Sequence, residues 1–157
     1  MVACVLADFV GQLLHVLRHI TRLHPVAYRL LRWAGVLGRQ FGMRNVILTT
    51  TGHRSGRPRE APLFSFEAGD RVAVIGSNAG GPQDPSWVRN LHANPAVSLR
   101  VGGEVRPVQG HIAEGEERAR LWATAVARYP GYELYQRRAG RTIPVVVLTP
   151  RQAPPNF

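Results

Sequence analysis

From Asn45 onward the chain is cut into short strand-like runs at irregular intervals, and this cadence excludes most folds. Residues 46–50, 62–66, 71–75, 97–101, 104–112 and 143–148 each have the length and composition of a β-strand. Gly69-Asp70 and Gly102-Gly103 mark tight turns between neighbouring runs. The last run, rich in valine, is expected to be central. Helical stretches interrupt the pattern at only a few points. One starts at Asp84-Pro85 and closes at Asn94-Pro95. Another spans 114–128, acidic at its start and basic at its end as the helix dipole favours. A third, to about Arg138, follows the break at Tyr129-Pro130-Gly131-Tyr132. Strand and helix do not alternate regularly, so a parallel βαβ sheet is excluded. An α+β chain with a mainly β core is predicted: a small barrel with peripheral helices. No G-x-G-x-x-G follows a strand and no Gly-Lys-Ser/Thr occurs, which disfavours Rossmann-type and P-loop nucleotide binding.

Residues 48–62 form the most distinctive stretch. An apolar run ends in Thr49, Thr50 and Thr51. Gly52 and Gly56 bracket a short loop, and Arg54, Arg57 and Arg59 crowd into six positions. The pattern reads as a β-hairpin with a flexible, basic tip. Each guanidinium offers a planar fork of donors that matches phosphate or carboxylate. Two readings fit these residues alone, a solvated charged turn or an anion cradle.

The balance of charge points the same way. Net charge is +10, and all twenty basic residues are arginine. Such a chain is drawn to nucleic acid, an anionic membrane or an acidic cofactor. With 157 residues, 45% of them hydrophobic, one core suffices. Three segments are expected: a basic amphipathic N-terminal helical segment (1–44), a barrel domain (45–151) and a C-terminal tail (152–157). Two helices are predicted within residues 5–41, with Trp33 on the apolar side of the second. No acidic residue lies between Asp8 and Glu60. Such a segment suits either an anionic membrane surface or a cover for one end of the barrel. No apolar run is long enough to span a bilayer, no secretory signal is expected, and the lone Cys4 fits a reducing compartment. A cytoplasmic protein, with peripheral contact at the inner face of the cell membrane, is the resulting expectation. His15 and His19 are four apart, but no carboxylate accompanies them, so no metal site is expected.

No nucleophile–base–acid set is visible, and Cys4 lies in an apolar stretch. An anion cradle with nearby aromatics suits a protein that holds a cofactor and leaves the redox chemistry to it. A specific resemblance sharpens this. Thr49-Thr50-Thr51-Gly52, Arg54-Ser55-Gly56 and Pro58-Arg59 resemble the opening motif of the deazaflavin (coenzyme F420)-dependent nitroreductase and quinone reductase family. Ser77 through Trp87 to Pro95, Tyr129-Pro130-Gly131-Tyr132, and Arg141-Thr142-Ile143-Pro144-Val145-Val146-Val147 fit the same pattern in register.

The resemblance implies a split β-barrel of the kind that binds flavin mononucleotide (FMN). It implies hydride transfer from reduced F420 to a quinone, enone or nitroaromatic acceptor. A lipid quinone would make sense of the basic N-terminus. It also implies cofactor contacts at Arg54, Ser55, Arg59, Ala61, Pro62, Ser77, Asn78, Ala79, Gly80, Trp87 and Asn90. Tyr129, Tyr132, Tyr135 and Ser77 are the implied catalytic positions, since a phenol can protonate the reduced acceptor. Position 53 is histidine where relatives usually carry arginine, and position 78 is asparagine where lysine is common. Both changes remove fixed charge from the path of the cofactor's polyglutamate tail. Two alternatives remain: the same fold binding FMN, and a basic nucleic-acid-binding module. The aromatics do not interleave with the arginines as base stacking requires, which weighs against the second.

Overall fold

A computed structural model of the protein describes residues 42–151. The predicted helices within 5–41, the histidines at 15, 19 and 24, and the C-terminal tail lie outside the described residues. Six strands and three helices follow in chain order: β1 (Arg44–Thr51), β2 (Pro58–Ala68), β3 (Arg71–Ile75), α1 (Ser86–Ala93), β4 (Ala96–Val101), β5 (Glu104–Ile112), α2 (Gly115–Arg128), α3 (Gly131–Ala139) and β6 (Val145–Pro150). The strands close into an antiparallel barrel in the order β1-β2-β3-β6-β5-β4. The expected α+β split barrel is therefore the observed fold.

The side chains of β6 explain why its sequence is almost continuously apolar. Val146 and Leu148 point into the barrel with Val46, Leu48, Val74, Val97, Leu99 and Val108. Val145 and Val147 face the other way, into a second core with Phe66, Ala73, Ile75, Ala125, Tyr132 and Tyr135. A strand buried on both faces has no place for alternating polar residues. Helix α1 closes the barrel interior by inserting Trp87, Val88 and Leu91, while α2 and α3 cover the outer core.

Among the strand boundaries that differ from the expectation, two bear on the site. β2 begins at Pro58, four residues before the predicted start, because Thr51 pairs with Pro58 and Thr50 with Arg59. Arg59 thus rides on a strand and not on the loop. The prolines at 58 and 62 are compatible with a strand here because residues 58–64 pair with β1 alone, and β3 joins only from Ser65. At the other end of the chain, β6 begins at Val145. Residues 143 and 144 instead lead into it, with Pro144 accepting a hydrogen bond from Gly76 at 2.9 Å.

Candidate active site

The basic hairpin is closed at its base by hydrogen bonds from Gly52 N to Arg57 O (2.9 Å) and from Gly56 N to Gly52 O (2.7 Å). The Ser55 hydroxyl accepts from Arg57 N at 3.3 Å and braces the turn. The residues 53–59 are exposed, and the guanidinium groups of Arg54, Arg57 and Arg59 have no partner among the described residues. Elsewhere, exposed Arg44 and Arg106 pair with Glu67 and Glu104, and partly buried Arg100 pairs with Glu60.

The tip does not hang free. Asn90 on α1 is 3% exposed, and both ends of its amide are used. Its Oδ1 accepts from His53 N (3.0 Å) and lies 2.8 Å from His53 Nδ1. Its Nδ2 donates to Thr50 Oγ1 at 3.1 Å, and the Thr50 hydroxyl donates onward to the Arg59 carbonyl at 3.4 Å. One buried side chain thereby holds both legs of the hairpin. The histidine at position 53 takes up a hydrogen-bonding role at the base of the tip.

Residues 76–84 form the second component. Ser77 opens a single 3-10 turn over Asn78–Gly80. Asn78, Ala79 and Gly80 all adopt positive φ, at 49°, 52° and 77°. For Ala79 this left-handed conformation costs about 1–2 kcal/mol. Such strain persists only where the surroundings over-determine it. Gly80 has a further reason to lack a side chain: a Cβ there would come within 3.1 Å of the Tyr135 Cα. The turn is thus seated directly on α3.

Helix α3 and the residue before its cap carry three phenols. Tyr129 stands edge-on to Tyr132, with ring centroids 5.3 Å apart, and its hydroxyl is 3.3 Å from that of Tyr135. Gly131 permits this arrangement, since a Cβ would meet the Tyr129 ring at 2.5 Å. Tyr129 is half-buried, whereas Tyr132 and Tyr135 are 6% and 4% exposed. Burial pushes the phenols of Tyr132 and Tyr135 well above the ordinary tyrosine range. The neighbouring Tyr129 adds to the rise in both. Both stay protonated, so both are donors. The hydroxyl of Tyr132 has no hydrogen-bond partner among the described residues. That oxygen is not among the fully enclosed unpartnered atoms of the described residues, so it stays within reach of solvent or a ligand.

The expected site residues therefore fall into three groups. Arg54, Ser55, Arg59, Ala61 and Pro62 lie on the hairpin and β2, the arginines and Pro62 exposed and Ala61 half-buried. The turn of Asn78, Ala79 and Gly80, which Ser77 opens, packs against α3 with Gly80 on the backbone of Tyr135, and Tyr129, Tyr132 and Tyr135 form one ring cluster at that helix. Trp87 and Asn90 are buried in or against the barrel and support the site from beneath. Trp87 is 6% exposed and packs in the barrel core with Val88 and Leu91. Three participants carry no sequence signal of their role: Thr50, Gln136 and Arg141. Asn90 reaches Thr50 from 40 positions away and Arg141 reaches Gly76 from 65, so barrel closure brings these together, while Gln136 bonds Arg141 and Ile143 across the loop that follows its own helix. Among the described residues no group of three or more potential metal ligands occurs, and no helix is long and apolar enough to cross a membrane.

A small antiparallel barrel bearing a basic hairpin whose guanidinium groups have no partner among the described residues, a strained glycine turn and a cluster of neutral phenols defines a class: split-barrel oxidoreductases that hold an anionic redox cofactor. Within that class, residues 20–150 match the F420H(2)-dependent quinone reductase family. The chain belongs to this family. It is 37% identical to the F420H(2)-dependent quinone reductase Rv1261c of Mycobacterium tuberculosis over 149 residues, covering 87% of this chain and 94% of that protein. Among solved structures it resembles an F420-H2 dependent reductase (FDR-A), with 42% identity, a TM-score of 0.61, and coverage of 66% of this chain and 92% of that one. The heme storage protein HutZ of Vibrio cholerae, at 17% identity and a TM-score of 0.54 over 74% of this chain and 86% of that one, shares the fold alone. The cofactor is accordingly coenzyme F420 and the chain is an oxidoreductase. The FMN alternative is not needed, and nitroaromatic reduction is only loosely related to the family's named activity.

Proposed function

We propose that this protein reduces a quinone at the junction of the hairpin, the 76–84 segment and the tyrosine cluster, with the chain's own residues binding the cofactor and supplying the proton. The observation that carries this reading is the basic hairpin: three guanidinium groups without partners among the described residues, on a tip held in place by buried Asn90. That donor set fits the phosphate and carboxylates of F420. Arg54 and Arg59 are the principal anion ligands, and Arg57 contributes less.

When bound, reduced F420 supplies a hydride. A quinone that gains a hydride must also gain a proton to become a quinol. Tyr132 is the donor in this reading, because its phenol is neutral and its hydroxyl has no partner among the described residues. Tyr129 and Tyr135, linked at 3.3 Å, position the acceptor and Tyr132 between them. Ser77, half-buried at the start of the turn, is assigned to the site as a further hydrogen-bonding group.

The test is a fluorescence titration of purified protein with F420 and with FMN. Tighter binding of F420 is expected. Alanine at position 54 or 59 should weaken it roughly tenfold or more, at about 1.5–3 kcal/mol per charge-assisted contact. Tighter FMN binding, or equally small effects at 54, 57 and 59, would overturn the assignment. A lipid quinone as acceptor, and contact of residues 5–41 with an anionic membrane, extend the proposal. Their support is the unbroken positive bias of that segment. Sedimentation with anionic liposomes, relieved in part by salt, is the corresponding measurement.

A further inference from the structure

We propose that Arg141 is the positioning residue that locks residues 76–84 into the conformation that receives the cofactor. The proposal rests on the cofactor reading above. The side chain of Arg141 is 16% exposed and lies beneath the segment. Its Nε donates to Gly81 O at 3.3 Å. Its Nη2 lies within 3.2–3.4 Å of the carbonyls of Gly76, Ser77 and Gln83. Its Nη1 approaches Asp84 Oδ1 at 2.6 Å, the one such contact that this buried oxygen makes among the described residues. Five residues of one nine-residue segment thus converge on a single guanidinium.

The arginine is itself held at its root. Gln136 on α3 donates to the Arg141 carbonyl and accepts from Ile143 N at 3.0 Å, while Arg118 Nη2 donates to Ile143 O at 3.1 Å. Gln136 is one residue beyond Tyr135, on whose backbone Gly80 rests. The lock therefore couples the turn to the helix that bears the phenols. Three successive positive-φ residues cannot hold their conformation by local preference, and two of them are not glycine. Gathering the flanking carbonyls onto one cation supplies that missing determinant. Only the forked guanidinium can reach all of them together. A lysine would retain the charge near Asp84 but present a single point.

The test uses full-length protein carrying Arg141→Lys or Arg141→Ala. Hydrogen–deuterium exchange of the 76–84 segment, measured without cofactor, should accelerate tenfold or more in both variants. F420 affinity should fall at least tenfold. Methylguanidinium added to the alanine variant should restore slow exchange and affinity, whereas methylammonium should not. A loss that came only from poor folding would show neither the rescue nor its selectivity. Wild-type exchange in both variants overturns the proposal, and so does accelerated exchange with unchanged F420 affinity. If the unaltered protein prefers FMN, the cofactor reading fails separately, and the exchange of the lysine variant still decides whether the lock exists.

Discussion

Replacing Asn90 with leucine should loosen the basic hairpin without touching a single residue proposed to contact the cofactor's anionic groups. The substitution keeps side-chain volume but removes the acceptor for His53 N and Nδ1 and the donor to Thr50. A net hydrogen bond is worth about 0.5–1.5 kcal/mol, and three are lost. The loss is cushioned, because exposed His53 can turn to water and the Thr50 hydroxyl keeps the Arg59 carbonyl as acceptor. Apolar burial of the leucine returns a further part. A net destabilisation of about 1.5–2.5 kcal/mol follows. For a chain of this size that corresponds to roughly 4–8 °C in the thermal midpoint. The larger consequence lies in binding: a tip no longer held in place must be ordered by the ligand itself. About one lost kilocalorie or slightly more is roughly a tenfold weaker F420 dissociation constant. Thermal unfolding by circular dichroism and F420 fluorescence titration measure the two effects. Thr50→Val, alone and combined with Asn90→Leu, completes a double-mutant cycle that should yield coupling of about 0.5 kcal/mol or more. An unchanged midpoint together with F420 affinity within twofold of the parent would refute the argument, since the hairpin would then hold its own shape.

Tyr132→Phe should lower quinone turnover by about a hundredfold, with F420 affinity and thermal midpoint almost unchanged, because the lost hydroxyl has no partner among the described residues. Full turnover in both Tyr132→Phe and Tyr129→Phe would make the tyrosines packing residues. Glu117→Gln addresses pH. The hydrogen bond from His111 at 2.9 Å, with a weaker contribution from Arg71 at 2.8 Å, holds the Glu117 carboxyl below the usual glutamate range against its partial burial. A depressed folded value means the stabilisation is present above the unfolded value, about 4.3, and is lost as pH falls through the lower folded value. The glutamine variant should therefore have a lower urea midpoint than the parent at pH 7, and the gap should narrow as pH falls below about 4.3 and close once the folded carboxyl is also protonated.

Much of the barrel was legible because its strands differ so sharply from their turns. Residues 71–75 and 104–112 coincide with β3 and β5, and Gly69-Asp70 and Gly102-Gly103 do turn the chain. The start of β2 was not legible. Pro58 and Pro62 look like breakers, and only the absence of a strand beyond residues 58–64 makes them acceptable. The site was named through motif resemblance, but the division of labour within it was hidden. Asn90 reads as an ordinary helical residue until its partners at positions 50 and 53 arrive through barrel closure. Arg141 belongs to a matching block, yet a count of charges cannot reveal that its guanidinium gathers carbonyls some sixty positions away.

The two prolines of β2 have a consequence beyond local geometry. They stand four residues apart on one strand, so the flank of backbone that lacks a donor is the same at both. Among the described residues, that flank is the one no neighbouring strand covers. An exposed sheet border is an invitation to any extended peptide, including the same segment of another copy. Here the invitation is withdrawn at alternate sites, because an incoming strand would find carbonyls with too few N–H groups between them. The barrel can therefore leave its seam open toward the basic tip without that seam becoming a site of self-association.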